Sequence, residues 1–358
     1  MRFRKPKRVQ EIALGRASFD FHGFAGDQGE LLRQRFDYRP GAPAVLELTD
    51  ALLLPNARCL YDPEGRRLEP TKVTYVEPGA PAPLIDEKIL KIEQASMPEA
   101  VEVPAGLTHI DEPVIFLGEL HDHYGHFLTD TLARVWDLTE ADRGLKVIFA
   151  PQSQQRLEHP LVRELLQLFG IEPERILVPQ TPARLSRVIC PLAALQQSRI
   201  YDVFAEPFRQ VAKRALAAGA EPPGRPVYLT RSGLGEALRR LVNEEALEAR
   251  LEREGYAIVH PERLSIPEQI ALFNGEHPVV TPFGSAMHTV LFRIRDDGQR
   301  LGALFPEKVP PRFAMVDALK GSRASYVMCM SLQSNLDQPV WSIDVDAAMD
   351  GLKQARLV

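Results

Sequence analysis

Gly118-Glu119-Leu120-His121-Asp122-His123-Tyr124-Gly125-His126-Phe127-Leu128-Thr129-Asp130-Thr131-Leu132 comes directly after the apolar run Pro113-Val114-Ile115-Phe116-Leu117. A short apolar run giving way to helical spacing reads as a strand feeding a helix. Such corners are where open α/β sheets collect their ligand chemistry. This one holds His121, His123 and His126, in a chain with 9 histidines among 358 residues. A helix over residues 123–138 places His123, His126, Asp130, Arg134 and Asp137 in one sector, with Leu128, Leu132 and Val135 opposite. One side is buried and the other is ionisable. Imidazole titrates near neutral pH, which suits proton transfer; the plainer alternative is a solvated polar face. Nitrogen and oxygen ligands at His121, His123, His126 and Asp130 also suit zinc, so a metal-dependent hydrolase stays in view. No cysteine pair or second ligand cluster supports it.

Working outward, apolar runs and helical patterns alternate. Strands are predicted at 114–117, 145–149, 176–178 and 188–192, with helices at 123–138 and 161–169. Strands that alternate with helices imply a parallel sheet. A helix at 203–218 ends at the breaker Gly219-Ala220-Glu221-Pro222-Pro223-Gly224. A second α/β run comes next, with strands at 226–229, 256–259, 278–281 and 301–305 and helices at 244–254, 266–274 and 284–293. Asn243 reads as the N-cap of the helix at 244–254, with Glu244 and Glu245 in its first turn. Residues 1–110 are irregular and β-leaning, with strand candidates at 45–48 and 72–76 and a turn at Asp62-Pro63-Glu64-Gly65. The expected organisation is therefore a β-leaning segment at 1–110, α/β domains at 111–200 and 201–340, and a C-terminal helix at 341–358. A chain this long exceeds what one core usually supports.

Composition narrows the function classes. The net charge of −5 gives no global signal for nucleic acid. No run approaches the ~18 apolar residues of a spanning helix. The basic stretch Arg2-Phe3-Arg4-Lys5-Pro6-Lys7-Arg8 lacks an apolar region behind it and is not read as a signal peptide. It leaves a peripheral membrane contact open beside a solvated tail. Cys59, Cys190 and Cys329 read as free thiols of a reducing compartment, with the cytoplasm as the default. Asp344-Val345-Asp346 precedes a short amphipathic helix and reads as capping and surface charge. Asp296-Asp297-Gly298 reads as a turn.

The second α/β run carries an anion pattern. Arg231 stands at the end of the strand at 226–229, and Arg239 and Arg240 lie shortly before Asn243. Pro282-Phe283-Gly284-Ser285-Ala286 joins a strand to a helix through small residues, which frees backbone N–H groups for phosphate. Arginine adds a bidentate clamp. Each feature alone is weak. Together, at successive strand ends, they point to a diphosphate ligand. Neither GxGxxG nor GxxxxGK[ST] is present.

These motifs resemble glycosyltransferase family 61. The first is Tyr124-Gly125-His126-Phe127-Leu128-Thr129-Asp130. The second is Val227-Tyr228-Leu229-Thr230-Arg231 with Arg239-Arg240-Leu241-Val242-Asn243-Glu244. The third is Leu264-Ser265-Ile266-Pro267-Glu268-Gln269-Ile270-Ala271-Leu272-Phe273, followed by Val279-Val280-Thr281-Pro282-Phe283-Gly284-Ser285-Ala286-Met287-His288. The resemblance spans about 113–306 and departs from the family pattern at Phe283 and Ala303. It implies an α/β fold of two Rossmann-like domains facing a cleft, the GT-B type. It implies an inverting, metal-independent transferase acting on a nucleotide-sugar donor, with UDP the expected nucleotide and no further cofactor. The acceptor is a glycan, and surface polysaccharide synthesis at the cytoplasmic face of a membrane is the implied setting. Arg231, Arg239, Asn243, Gly284, Ser285 and His288 are carried over to the donor. Asp130, His126 and His123 are carried over to the catalytic side, Asp130 as base with His126 orienting it or serving as base itself. A nucleotide-sugar-binding protein without activity is a further alternative.

Overall fold

The structure, a computed structural model, describes residues 2–4, 17–24, 35–81, 97–142, 144–234, 240–296, 298–334 and 340–358. The fold is mixed α/β. Contacts gather into two units: residues 35–207 with the strand at 2–4, and residues 17–24 with 208–358.

In the chain, β1 is Arg2–Arg4, β2 Ser18–His22, β3 Asp37–Arg39, β4 Val45–Leu53, β5 Thr108–Ile110, β6 Val114–Gly118, β7 Lys146–Phe149, β8 Ile176–Leu177, β9 Ala183–Pro191 and β10 Arg199–Tyr201. The first unit is built on a sheet ordered β1-β4-β9-β6-β7-β8, with β5 also on β9. The run at 114–117 becomes the sheet's buried centre, parallel to β7 and β9. It reads as an unbroken apolar run because both faces are covered. β4 runs to Leu53, well past the expected end, because β9 pairs with it antiparallel from Val45↔Pro191 to Leu53↔Ala183. Leu46, Leu48, Phe116, Ile148, Leu185 and Val188 fill this core. β3 and β10 form a separate parallel pair.

Residues 72–76 are turn and irregular structure, not the expected strand. Arg134 holds the start of this segment. Its guanidinium donates to the carbonyls of Pro70, Thr71 and Lys72, and to Pro191 at 2.6 Å. Carbonyls held this way are unavailable to a ladder.

The second unit uses β11 (Val227–Leu229), β12 (Arg240–Val242), β13 (Ala257–Val259), β14 (Val279–Pro282), β15 (Arg300–Phe305), β16 (Arg323–Met328), β17 (Met330–Ser334) and β18 (Val340–Ile343). Its main sheet is ordered β13-β11-β14-β15-β16-β2, and every neighbouring pair is parallel. From β11 the chain crosses to β13 on one flank and then to β14 on the other. The order therefore reverses between β11 and β14, a topological switch point. A small sheet, β12-β18-β17, stands beside it.

The described residues form seven α-helices. They are α1 (Tyr124–Thr129), α2 (Pro160–Leu168), α3 (Ala205–Ala217), α4 (Glu244–Arg253), α5 (Ile266–Leu272), α6 (Pro311–Leu319) and α7 (Val345–Gln354). α5 opens on a full capping box, Ser265 with Glu268, and Pro267 fits the first turn because its missing N–H is not needed there. Asp344 caps α7 through Ala347 N–H at 3.0 Å, as its position suggested. Among the described residues, no helix is long and apolar enough to cross a membrane. All three cysteines are buried and unbridged.

Candidate active site

The sequence spacing at the first corner survives only in part. β6 ends at Gly118 with φ +87°, a left-handed conformation that disfavours a side chain; its carbonyl accepts from Ala150 N–H. α1 stops at Thr129, and residues 131–137 continue as a 3-10 helix. At three residues per turn, Thr131, Arg134 and Asp137 eclipse one another, and all are buried. The continuous ionisable face from His123 to Asp137 is therefore not formed. Arg134 and Asp137 leave it, and Thr131 anchors the corner: its hydroxyl accepts from His121 N–H at 2.9 Å and donates to the Glu119 carbonyl at 3.1 Å.

What remains is a compact group of three imidazoles and one carboxylate. Nδ1 of His126 donates to Oδ2 of Asp130 at 2.7 Å, the i,i+4 contact the spacing predicts. The His126 side chain is 59% exposed and that of Asp130 is 10% exposed. The carboxylate thus backs the more exposed ring at Nδ1. The rings of His121 and His123 lie 5.4 and 5.3 Å from that of His126. Burial draws the His121 pKa below its ordinary value, against opposing pulls from Glu119 and Asp130.

Glu119 is the residue the motif reading passed over. Its side chain is 1% exposed; Arg156 pairs with it at 2.8 Å and Arg58 at 3.4 Å, and His121 Nε2 stands 4.0 Å away. A buried carboxylate persists only with such partners, and removing one costs about 3–5 kcal/mol. Its position directly after a buried strand was the available signal. Glu119, Asp130, Gly118, Thr71 and Arg134 line one small pocket.

The second corner lies at the switch point. A Cβ placed on Gly284 would come within 2.7 Å of Arg231 Nη1, so the guanidinium lies directly against this turn. Arg231 ends β11 and Gly284 comes after β14. Beneath them Glu244, fully buried, accepts from Arg231 N–H at 3.0 Å and from the Tyr228 hydroxyl at 2.9 Å. Burial raises the Glu244 pKa, and those donors hold it down. Thr230 Oγ1 binds Glu248 and accepts from Ser232 N–H, which fixes the loop after β11.

Other donor-side residues are placed differently. Asn243 is not a side-chain N-cap. It sits at φ +60°, and its amide donates to Ile343 O at 2.8 Å while accepting from Ile343 N–H at 3.1 Å. That tie to β18 satisfies the side chain in place of the helix terminus. The segment after Gly284 is helical as expected, and it is a 3-10 helix, Ser285–Phe292. His288 within it is buried, its ring stacked on Phe313 at 4.7 Å. Arg239 lies outside the described residues. Asp296, expected in a plain turn, is nearly buried, accepts from Arg209 and forms an ion pair with Lys320 at 2.7 Å.

The family model described as Glycosyltransferase 61 matches residues 124–299. The match supports glycosyltransferase family 61. No curated protein matches it. The match begins at the first residue of α1, so this glycosyltransferase carries His126, Asp130, Arg231 and Gly284 within the family segment and Glu119 outside it. The match implies a sugar donor and a glycan acceptor. The alternative of a metal held by His121, His123 and His126 gains no support. Among the described residues, no three histidine, cysteine, aspartate or glutamate groups are arranged to hold an ion.

Proposed function

We propose that this glycosyltransferase is an inverting, metal-independent enzyme that moves a sugar from a nucleoside-diphosphate donor to a glycan hydroxyl. The observation that carries the donor half is the Arg231 guanidinium packed on Gly284 at the switch point of an all-parallel sheet. Crevices of this kind bind nucleotides, and a guanidinium matches phosphate geometry. Arg231 neutralises the charge that develops on the departing diphosphate.

His126 acts as the base. The hydroxyl proton passes to Nε2 as the oxygen attacks the anomeric carbon, and the bond from that carbon to the diphosphate oxygen breaks on the opposite face. Asp130 holds the Nδ1 tautomer and stabilises the imidazolium that results. The exposures of the two side chains favour this assignment over Asp130 as base. The GT-B organisation, a UDP-linked donor, surface polysaccharide synthesis and a cytoplasmic setting at a membrane face complete the proposal.

Calorimetry with UDP, GDP, ADP, CDP and pyrophosphate, with EDTA present, is the test. Binding of one nucleoside diphosphate that is lost in Arg231→Ala supports the reading. Failure of all five to bind overturns it.

A further inference from the structure

We infer that the carboxylate of Glu262 marks a ribose subsite, accepting hydrogen bonds from the sugar hydroxyls of a nucleoside diphosphate whose phosphates lie against Arg231. This rests on the proposed donor site and goes further by placing the nucleoside.

The loop after β11 touches both flanking strand ends. Arg231 reaches the β14 side, where it meets Gly284. Two residues later, a Cβ on Gly233 would stand 2.3 Å from Glu262 Oε1 and 2.7 Å from His260 Nδ1. Glu262 and His260 come after β13 and so close on the loop from the other flank. Adjacent strands lie about 4.8 Å apart. The acid and the Gly284 turn follow the two strands that flank β11, so about two such spacings, roughly 10 Å, separate them, which leaves room for a phosphate and its ribose between them.

Chain order supports the same assignment. β11, α4 and β13 form a βαβ unit, and in nucleotide-binding units of this kind an acid after the second strand takes the ribose hydroxyls while the phosphates sit at the first turn. Chemistry excludes the reverse, since a carboxylate repels phosphate but accepts from a diol. Among the described residues Glu262 makes no hydrogen bond. Its nearest partners are the His260 ring nitrogen at 3.4 Å and Arg263 at 4.0 Å, and its side chain is 28% exposed. His260 Nδ1 is buried without a hydrogen bond beside it. The acceptor capacity of the carboxylate is thus available to a ligand. Gly233 keeps that place clear, because any side chain there would displace the carboxylate.

The test compares ribo- and 2′-deoxyribonucleoside diphosphates by calorimetry on the full chain, using UDP and 2′-deoxy-UDP, the GDP, ADP and CDP pairs, and pyrophosphate. The wild type is expected to prefer the ribonucleotide about tenfold, the worth of a hydrogen bond to a charged group. Glu262→Gln and Glu262→Ala are expected to bring that ratio near one and leave pyrophosphate affinity unchanged. Gly233→Ala should do the same with Glu262 still present. An unchanged ratio in these variants overturns the ribose assignment and leaves the donor site standing. Binding of pyrophosphate but of no nucleoside diphosphate does likewise. Failure of every probe to bind removes the donor reading itself.

Discussion

The carboxyl ends of β6 and β11 hold comparable places: each strand lies inside its sheet, parallel to both neighbours. The residues beyond the two strand ends differ in kind. After β6 come a buried acid and three clustered imidazoles, with one Asp–His hydrogen bond aimed outward. After β11 come a guanidinium and a turn with no side chain in its way, with the acids drawn underneath to hold backbone N–H and hydroxyl groups. In the proposed function, one corner moves a proton and the other holds an anion. The architecture supplies a strand end in both cases; the residues there decide its chemistry.

This division of labour can be broken from either side. His126→Gln is expected to lower transfer about 10³-fold, and Asp130→Asn about 10²-fold, with nucleotide affinity unchanged in both. Steady-state kinetics and calorimetry with the nucleotide that binds check this; weakened binding in either variant would place the first corner on the donor side. Arg231→Ala should weaken nucleoside-diphosphate binding about 100-fold while the NMR titration of the histidines stays as in the wild type. Arg231→Lys should recover only part of the loss, because a point charge lacks the planar fork.

Smaller effects sharpen the contrast. Asn243→Ala removes the tie to β18 and should cost about 1 kcal/mol of stability in denaturant unfolding, with nucleotide affinity unaffected. A drop in affinity would return Asn243 to the donor site. The last effect belongs to pH. Burial holds the folded-state pKa of His121 below the ordinary 6.5. The unfolded chain therefore takes up a proton that the native state refuses, and stability falls as the pH drops below about 6.5. Thermal melts at about pH 8 and about pH 5.5 should show a larger acid loss for the wild type than for His121→Gln.

Much of this was legible along the chain. The apolar runs at 114–117, 279–281 and 301–305 have no alternation to resolve, and they became central strands. The His126–Asp130 pair came from a four-residue spacing that one turn of helix preserves. Legibility failed where a side chain's partner was remote in sequence. Asn243 looks like a cap until Ile343, a hundred positions away, takes its amide. Residues 72–76 have the composition of a strand, but Arg134 holds the neighbouring carbonyls. The ionisable face from 123 to 137 assumed one helical period, and the change to a 3-10 turn at Thr131 rotated Arg134 and Asp137 into the interior.

By itself, the sequence determined the alternating α/β class, the family motifs and the two strand ends at which reactive side chains collect, because these depend on local period and residue type. The tertiary structure alone decided that Arg231 meets Gly284, that Glu119 is buried among Arg58, Arg156 and His121, and that Glu262 reaches Gly233. Each of those contacts joins segments brought together by strand order and burial, and none is encoded in the spacing of any one stretch.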